Sequence, residues 1–470
     1  MSGFILKIIF FFNYYVLFYF IILNGIYFLM TILSFFTIRR YMNEYRMIKH
    51  RRVFHSSFYH PITVIAPAYN EESAIVESVK SMLQLNYPEF EIIVVNDGSS
   101  DRTLEILKEG YKLRKSLLPY QKLIPCKDIK GIYASKDYPN LVVVDKINGG
   151  KADALNAGIN VAKYPLVSSI DSDSLLEPDA MLKLVRPFLD NKKTIAVGGI
   201  VRIANNCKIV AGKMVEVKLS TKWLPKFQIV EYLRAFLFGR VGLDALNSLL
   251  IISGAFGLFK KAAIVENGGY LIDSVGEDME LIIRMHRHMR EKNKPYRVTF
   301  VPEPVCWTEV PETLKVLGRQ RNRWHRGLID SLWIHKKMLL NPRYGIVGLF
   351  AMPFFFFFEM LGPIVELLGY IVVPLSLYFH VINVQFAVLF FFVAFVFGIV
   401  LSLSSLVLEE LSFRRYPKYS QVLQLFVFAV LENFGYRQLH AWWRFKGIID
   451  FFKGSKQWGK MEKKGFETNV

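Results

Sequence analysis

Residues 4–37 read FILKIIFFFNYYVLFYFIILNGIYFLMTILSFFT. As a helix this run would be about 50 Å long, against a hydrocarbon core of roughly 30 Å. A soluble core cannot cover such an element on every side, so a membrane must solvate much of it. We expect one tilted span with an overhanging end. Two short spans joined by a turn near Asn24-Gly25 are the alternative. The run is too long for a signal peptide, and no small-residue cleavage site follows it. Arg39, Arg40, Arg46, Lys49, Arg51 and Arg52 come next. By the positive-inside rule they place this flank in the cytosol and the N-terminus outside.

The C-terminal third repeats the pattern. Residues 346–379 form one apolar run interrupted at Gly362-Pro363, and residues 384–408 form another, ending in EELSFRRYPKYS. A weaker run, 421–434, leads into YRQLHAWWRFKG; it is short for a span and mixes Arg with Trp, so an interfacial helix is expected as readily as a crossing. With the middle and the tail both inside, the C-terminal crossings must be even in number. Two are expected, with four as the alternative. The expected division is a membrane helix over 1–40, a cytosolic domain over 41–335, membrane and interfacial helices over 336–452, and a basic tail over 453–470.

The net charge of +19 would suggest nucleic acid in a soluble chain. Spanning segments and an anionic membrane surface explain it more simply. No aromatic-interleaved basic motif is present, so nucleic acid is not an expected partner. Cys126, Cys207 and Cys306 have no zinc or disulfide spacing, which fits a reducing compartment.

Between the apolar ends, short buried strands alternate with helical patterns. ITVIA (62–66), EIIVV (91–95), LVVV (141–144) and LVSSI (166–170) are the strands; helices follow through about Leu85, after Asp101 and from Lys151. This order predicts an α/β domain with a mostly parallel, helix-covered sheet. Residues 116–140 break the rhythm as an insertion.

Ligands of open α/β sheets gather beyond the carboxyl ends of the strands, and here those ends carry acid. EIIVV runs into NDGSSD (96–101), and LVSSI runs into Asp171-Ser172-Asp173. Asp101 has an ordinary reading as a turn and helix cap. Glu277-Asp278, in VGEDMEL, opens a helix, where acids also favour the dipole. Asp171 and Asp173 are costly neighbours unless a cation sits between them. Hard divalent ions such as Mg²⁺ and Mn²⁺ take such oxygens and share themselves with a diphosphate.

GRQRNRWHRG (318–327) is the basic counterpart. On a helix Gln320, Arg323 and Trp324 fall at i, i+3 and i+4, on one face. Arg323 brings a planar fork suited to anions, Trp324 a flat apolar ring and Gln320 a hydrogen-bonding amide. Read alone, the segment is equally well explained as a solvated basic helix face. The remaining arginines are read as facing lipid phosphates, because Leu314, Leu317, Leu328 and Leu332 give the segment an apolar side. His325 is read as surface-exposed, and Trp442 and Trp443 as interfacial anchors. EYLRAFLFGRVGLDAL (231–246) reads as a membrane-skimming helix.

PAYNEE (67–72), NDGSSD, GGKADALNAG (149–158), DSD, GED and QRNRW occur in this order. The ordered set resembles the inverting family 2 glycosyltransferases of GT-A fold, a Rossmann-like nucleotide-diphospho-sugar transferase architecture. More narrowly it resembles their membrane-integrated branch, the cellulose, chitin, hyaluronan and poly-N-acetylglucosamine synthases. The likeness covers about residues 60–335 by motif and the flanking runs by layout. It implies a UDP-sugar donor, UDP-glucose or UDP-N-acetylglucosamine. Asp97 would hold the nucleoside, with Tyr69 and Glu71 nearby. Lys151 would contact base or phosphate, Asp171 and Arg323 the diphosphate, and Asp173 with Asp171 the metal, Mg²⁺ or Mn²⁺. Asp278 would be the general base. Gln320, Trp324, Glu277 and the ISGAFGLF loop (252–259), through Ser253 and Gly254, would form the acceptor side.

The resemblance implies an integral plasma-membrane enzyme with a cytosolic catalytic domain, extending a β-linked polysaccharide and passing it through its own spans. A non-processive transferase acting on a membrane lipid, such as a polyprenyl phosphate or a ceramide-like lipid, is the second expectation. A non-catalytic channel is the third, and the acids at the strand ends argue against it.

Overall fold

In the computed structural model, residues 3–49 and 59–454 are described. Arg51, Arg52 and the tail beyond Gly454 lie outside them. A single helix, α1 (Gly3–Lys49), carries the N-terminal apolar run without a break at Asn24-Gly25. It continues past the expected boundary at residue 40, and its membrane-type stretch is Phe4–Glu44.

The middle of the chain builds a sheet. β1 (Ile62–Ala68) leads to α2 (Ile75–Leu83), β2 (Phe90–Asn96) to α3 (Thr103–Gly110), and a hairpin of β3 (Arg114–Ser116) and β4 (Ile129–Ala134) to β5 (Leu141–Lys146). Then come α4 (Lys151–Val161), β6 (Leu166–Ile170), β7 (Ser174–Leu176), α5 (Ala180–Asp190) and β8 (Thr194–Ile203). A small ribbon of β9 (Lys208–Val210) and β10 (Lys213–Glu216) stands apart from the main sheet. The helical stretch α6 (Trp223–Leu233) runs through a π-type segment, Arg234–Arg240, into α7 (Val241–Ala245). β11 (Phe256–Lys260), α8 (Lys261–Glu266), α9 (Glu277–Glu291), β12 (Arg297–Thr308) and α10 (Leu314–Ile334) complete the domain.

The strand order is β3-β4-β5-β2-β1-β6-β11-β8-β12-β7. β5, β2, β1 and β6 are parallel neighbours, as are β8 and β12. β11 runs antiparallel to both β6 and β8, β7 to β12, and β4 to both β3 and β5. The sheet is therefore mixed, not mostly parallel. Apolar runs report burial on both faces, which a covered antiparallel strand shares with a parallel one. The insertion at 116–140 is partly strand and extends the sheet by a hairpin.

The core lies on the central strands, where Val64, Ile92, Val94, Val143 and Ile170 are fully buried. The stretch 231–246 does not skim a membrane with its apolar side. Leu233, Phe236, Leu237, Phe238 and Val241 are buried against the sheet and neighbouring helices.

Beyond α10, a helical pair, Val347–Met360 and α11 (Gly362–Tyr378), is bent by 43° at the Gly362-Pro363 interruption. α12 (Val384–Phe391) continues through a π-type turn into α13 (Phe397–Ser412), and together they form the apolar stretch Val384–Ser412. α14 (Tyr419–Leu431) kinks at Phe434-Gly435 before α15 (Arg437–Phe452). Among the described residues, two helices are long and apolar enough to cross a membrane, and three elements are if the bent pair is one span. Polar contacts tie these helices together and to the sheet. Asn24 donates to the Val393 carbonyl at 2.9 Å. Arg202 on β8 meets Glu409 on α13 at 2.5 Å, both buried. Removing one partner of such a pair strands a buried charge, so the contact locks the domain to the helical bundle.

Candidate active site

The first two strand-end loops are zipped together. Asn70, at φ 56°, accepts from the Ser100 amide at 2.8 Å, and its own amide donates to Ser99 Oγ at 3.1 Å. The Glu71 amide donates to Thr103 Oγ1 at 2.9 Å. Asp101 accepts from the Thr103 amide and hydroxyl at 3.0 and 2.6 Å, the turn-and-cap role read from its sequence. Tyr69 is 52% exposed and Glu71 is buried at the same rim.

Asp97 is drawn inward. Its Oδ1 accepts from Lys146 Nζ at 2.6 Å and from the Gly149 amide at 2.9 Å, and its Oδ2 from the Gly150 amide at 2.7 Å. Burial pushes its carboxyl above the usual range, opposed by Lys146 and the two amides. The carboxylate thus holds the glycine loop from which α4 starts. Lys146 was not among the expected residues. It is fully buried, 2.5 Å from Asp153 on its other side. A lysine closing the buried strand LVVVDK, shortly before GGK, is the signal that could have found it.

The second cluster gathers around Lys151 at the head of α4. Its Nζ lies 2.5 Å from Asp171, 3.7 Å from Glu277 and 3.4 Å from the Gly254 carbonyl. Burial would lower its pKa; Asp171 and then Glu277 outweigh that and hold it charged. Asp171 and Asp173 bracket the turn from β6 to β7, closed by the Ser174 amide on the Asp171 carbonyl at 3.0 Å. Asp278 Oδ2 accepts from the Gly254 amide at 2.9 Å, and Oδ1 from the Met279 amide at 2.8 Å. Ser253 turns its hydroxyl back to the Ala255 amide at 3.4 Å, so Gly254 alone of that pair touches the acids. Burial pushes the Glu277 carboxyl up to about 7; Lys151 opposes the rise and Asp278 adds to it, with Arg323 a further opposing charge. Asp278 is the more accessible of the two.

Among the described residues, no group of three His, Cys, Asp or Glu side chains forms a metal cage. Asp171 and Asp173 are two partly exposed hard-oxygen donors. That donor set suits an ion that completes its shell with water and diphosphate oxygens.

Helix α10 is brought to this cluster by two glycines. A Cβ on Gly276 would lie 2.8 Å from the Gly327 carbonyl oxygen. Their contact presses the start of α9, with Glu277 and Asp278, against α10. Ser331 donates to the Gly276 carbonyl at 3.3 Å, and Asp330 accepts from the Ser274 hydroxyl at 2.8 Å. Thr313 caps α10 through its hydroxyl. Arg323 is half-buried on this helix, and its charge is the smallest of the influences on the Glu277 carboxyl. Gln320 is half-buried and Trp324 is 44% exposed.

The rest of α10 differs from expectation. Arg321 and Arg326 do not face lipid; both are buried, Arg321 against Glu231 at 2.9 Å and Arg326 against Asn322 at 3.0 Å. His325 is not on the surface but 2% exposed, near Arg444. Burial, reinforced by Arg444, holds its imidazole neutral. Leu317 and Leu332 are buried inside the protein as well. Trp443 packs on Gly318, while Trp442 remains exposed. Much of this burial comes from α15, which lies along α10, and Arg321 is covered from α6 through Glu231.

The fold and this cluster define a class: a mixed α/β domain with an acidic cleft at its strand ends, joined to helices of membrane-spanning character. Residues 63–263 match the Glycosyl transferase family 2 model and residues 166–404 the Glycosyl transferase family group 2 model. The chain belongs to glycosyl transferase family group 2. The poly-beta-1,6-N-acetyl-D-glucosamine synthase of Staphylococcus epidermidis is 32% identical over 277 residues, 58% of this chain and 56% of that protein. Its counterpart in Staphylococcus aureus (strain COL) is 33% identical over 269 residues, 57% and 54% of the two chains. The chain thus matches a little over half the length of these relatives. Among solved structures, mannosyltransferase PcManGT from Pyrobaculum calidifontis, in complex with GDP-Man and Mn²⁺, is 17% identical, with a TM-score of 0.49 over 88% of this chain and 99% of that one. S. aureus TarS 1–349 is 15% identical, with a TM-score of 0.37 over 80% and 91%.

Proposed function

We propose that the chain is an inverting hexosyltransferase that moves a sugar from a UDP-sugar to a growing β-linked polysaccharide. The observation that carries this reading is the junction of Asp278 with the Gln320–Trp324 helix, beside Lys151 and Asp171. UDP-N-acetylglucosamine is the first donor, supported by the named activity of the staphylococcal relatives, and UDP-glucose the second.

In this reading Tyr69 and Glu71 flank the nucleoside and Asp97 underlies it through the loop it holds. Lys151, Asp171 and Arg323 address the diphosphate. Gln320, Trp324, Ser253, Gly254 and Glu277 line the acceptor side. Asp278 accepts the proton of the attacking hydroxyl, a contribution of about 10²–10⁴-fold in rate. The new C–O bond forms as the anomeric carbon parts from the diphosphate oxygen. A direct displacement of this kind inverts the centre and uses no covalent enzyme intermediate. Asp171 and Asp173 would hold Mg²⁺ or Mn²⁺, which when bound neutralises charge on the leaving diphosphate.

The same reading places the chain in the plasma membrane with residues 41–335 and the 453–470 tail in the cytosol. Residues 1–40 and 336–452 belong to the membrane and its interface. The basic residues after the first span support that orientation. With Cys126, Cys207 and Cys306 replaced by alanine, single cysteines at Lys7→Cys and Lys446→Cys should label from opposite sides of the membrane. Labelling from one side would overturn a single N-terminal crossing.

The activity test uses membranes bearing the full chain, incubated with labelled UDP-N-acetylglucosamine or UDP-glucose. A polydisperse polymer that does not enter the organic phase is expected from one donor. A single labelled product in the organic phase would overturn polymer synthesis in favour of lipid glycosylation, and no transfer from either donor would overturn both.

A further inference from the structure

The second residue of QRNRW, Arg321, is 1% exposed, although the helix around it is basic and the flanking Trp324 is open. Its guanidinium does three things at once. Nη1 donates to Gln320 Oε1 at 2.9 Å. Nη2 donates to Glu231 Oε2 at 2.9 Å. The guanidinium carbon lies 4.1 Å from the centroid of the Trp324 ring, within cation–π range. One buried side chain therefore grips two of the residues assigned to the acceptor side. The bond to Oε1 orients the Gln320 amide, and the stacked plane limits the indole to one orientation.

The grip has its own anchor. Glu231, on α6, also accepts from the Tyr436 hydroxyl at 2.7 Å and faces His440 at 3.5 Å. Tyr436 follows the kink at Phe434-Gly435, and its ring stacks on Phe227 with centroids 4.9 Å apart. The carboxylate is thus held from α6 and from the start of α15 together. A planar fork can bond two partners and stack on a third; an ammonium is a point charge and cannot.

We propose that Arg321 is a positioning residue for transfer: it sets Gln320 and Trp324 against the acceptor sugar, and Glu231 with Tyr436 holds it to the C-terminal helices. The proposal rests on the reading of α10 as the acceptor face.

The test uses the purified full chain in detergent, with UDP-N-acetylglucosamine and a short N-acetylglucosamine oligosaccharide as acceptor. Arg321→Lys keeps the charge opposite Glu231 but removes the fork. It should melt as wild type does and bind UDP equally well. Its acceptor KM and the share of donor lost to hydrolysis should rise about tenfold, in line with the cost of a small misplacement of reacting groups. Adding Trp324→Ala to Arg321→Lys should add little, because both changes disable the same element. If Arg321→Lys leaves acceptor KM unchanged while Trp324→Ala raises it, the positioning role falls and the acceptor reading stands. If neither raises it, the acceptor reading itself falls. Loss of UDP affinity in Arg321→Lys would place the residue on the donor side and also overturn the proposal. Should that variant not fold, the paired change Arg321→Gln with Glu231→Gln, which removes the fork and leaves no buried charge unpaired, is measured in the same way with the same expected and overturning results.

Discussion

The Gly254 amide donates to Asp278 Oδ2 at 2.9 Å, and the Gly254 carbonyl lies 3.4 Å from Lys151 Nζ. One residue without a side chain therefore touches both the proposed base and the cation beside the proposed diphosphate site. The carboxylate of Asp278 is held by two backbone amides, Gly254 on Oδ2 and Met279 on Oδ1, so its orientation is fixed before an acceptor arrives.

Gly254→Ala should disturb this contact without unfolding the chain. The added Cβ would lie 3.0 Å from Lys151 Nζ and 3.4 Å from Asp278 Oδ2. The lysine tip can yield, but only by changing its distance to Asp171. Transfer should drop about tenfold with the melting temperature little changed. Wild-type transfer rates would show that the loop has slack.

Asp278→Asn should abolish transfer while UDP binding persists. The amide has nearly the shape of the carboxylate and cannot take the hydroxyl proton. The expected loss is about 10²–10⁴-fold in rate, read from sugar incorporation at saturating donor. Incorporation within twofold of wild type would remove Asp278 from the role of base.

Asp173→Asn should weaken Mn²⁺ binding, measured by calorimetry with UDP present, by about tenfold or more. EDTA should stop sugar transfer by the wild-type chain. Unchanged Mn²⁺ affinity in the variant would take Asp173 out of the ligand set, whatever its effect on activity.

Glu277 should make stability pH-dependent. Its folded-state pKa is raised from the ordinary 4.5 to about 7, chiefly by burial. The folded chain keeps this proton where the unfolded chain has lost it. The group's stabilising contribution is therefore complete below the unfolded value and is lost as pH climbs toward the folded one. Glu277→Gln cannot ionise. Its melting temperature should gain on wild type as pH rises from about 4.5 to 7. Parallel melting curves across that window would contradict the assignment.

Much of the candidate site's geometry was legible because it is local. A buried strand ending in acid puts the acid at a strand mouth wherever the strand lies in the sheet. Asp97, Asp171 and Asp173 follow from that rule, as Lys151 follows from a glycine pair opening a helix. The i, i+3, i+4 spacing of Gln320, Arg323 and Trp324 likewise needs nothing beyond the helix itself. Lys146 was missed because its meaning depends on Asp97 and Asp153, carboxylates 49 and 7 positions away in the chain that meet only across the folded loop.

By itself the sequence determined the apolar runs at both ends, the α/β alternation between them and the acids at the strand ends. These depend on periodicity and on side-chain chemistry, which each residue carries wherever it lies. Tertiary structure decided the direction of β11 and β7, because burial on both faces looks the same whichever way a strand runs. It also decided that Arg321 and His325 turn inward. Whether one side of a helix meets lipid, water or protein depends on what packs against it. Here α15 lies along α10 and α6 brings Glu231 to it, so residues that read as a basic surface became buried partners of Glu231 and Arg444.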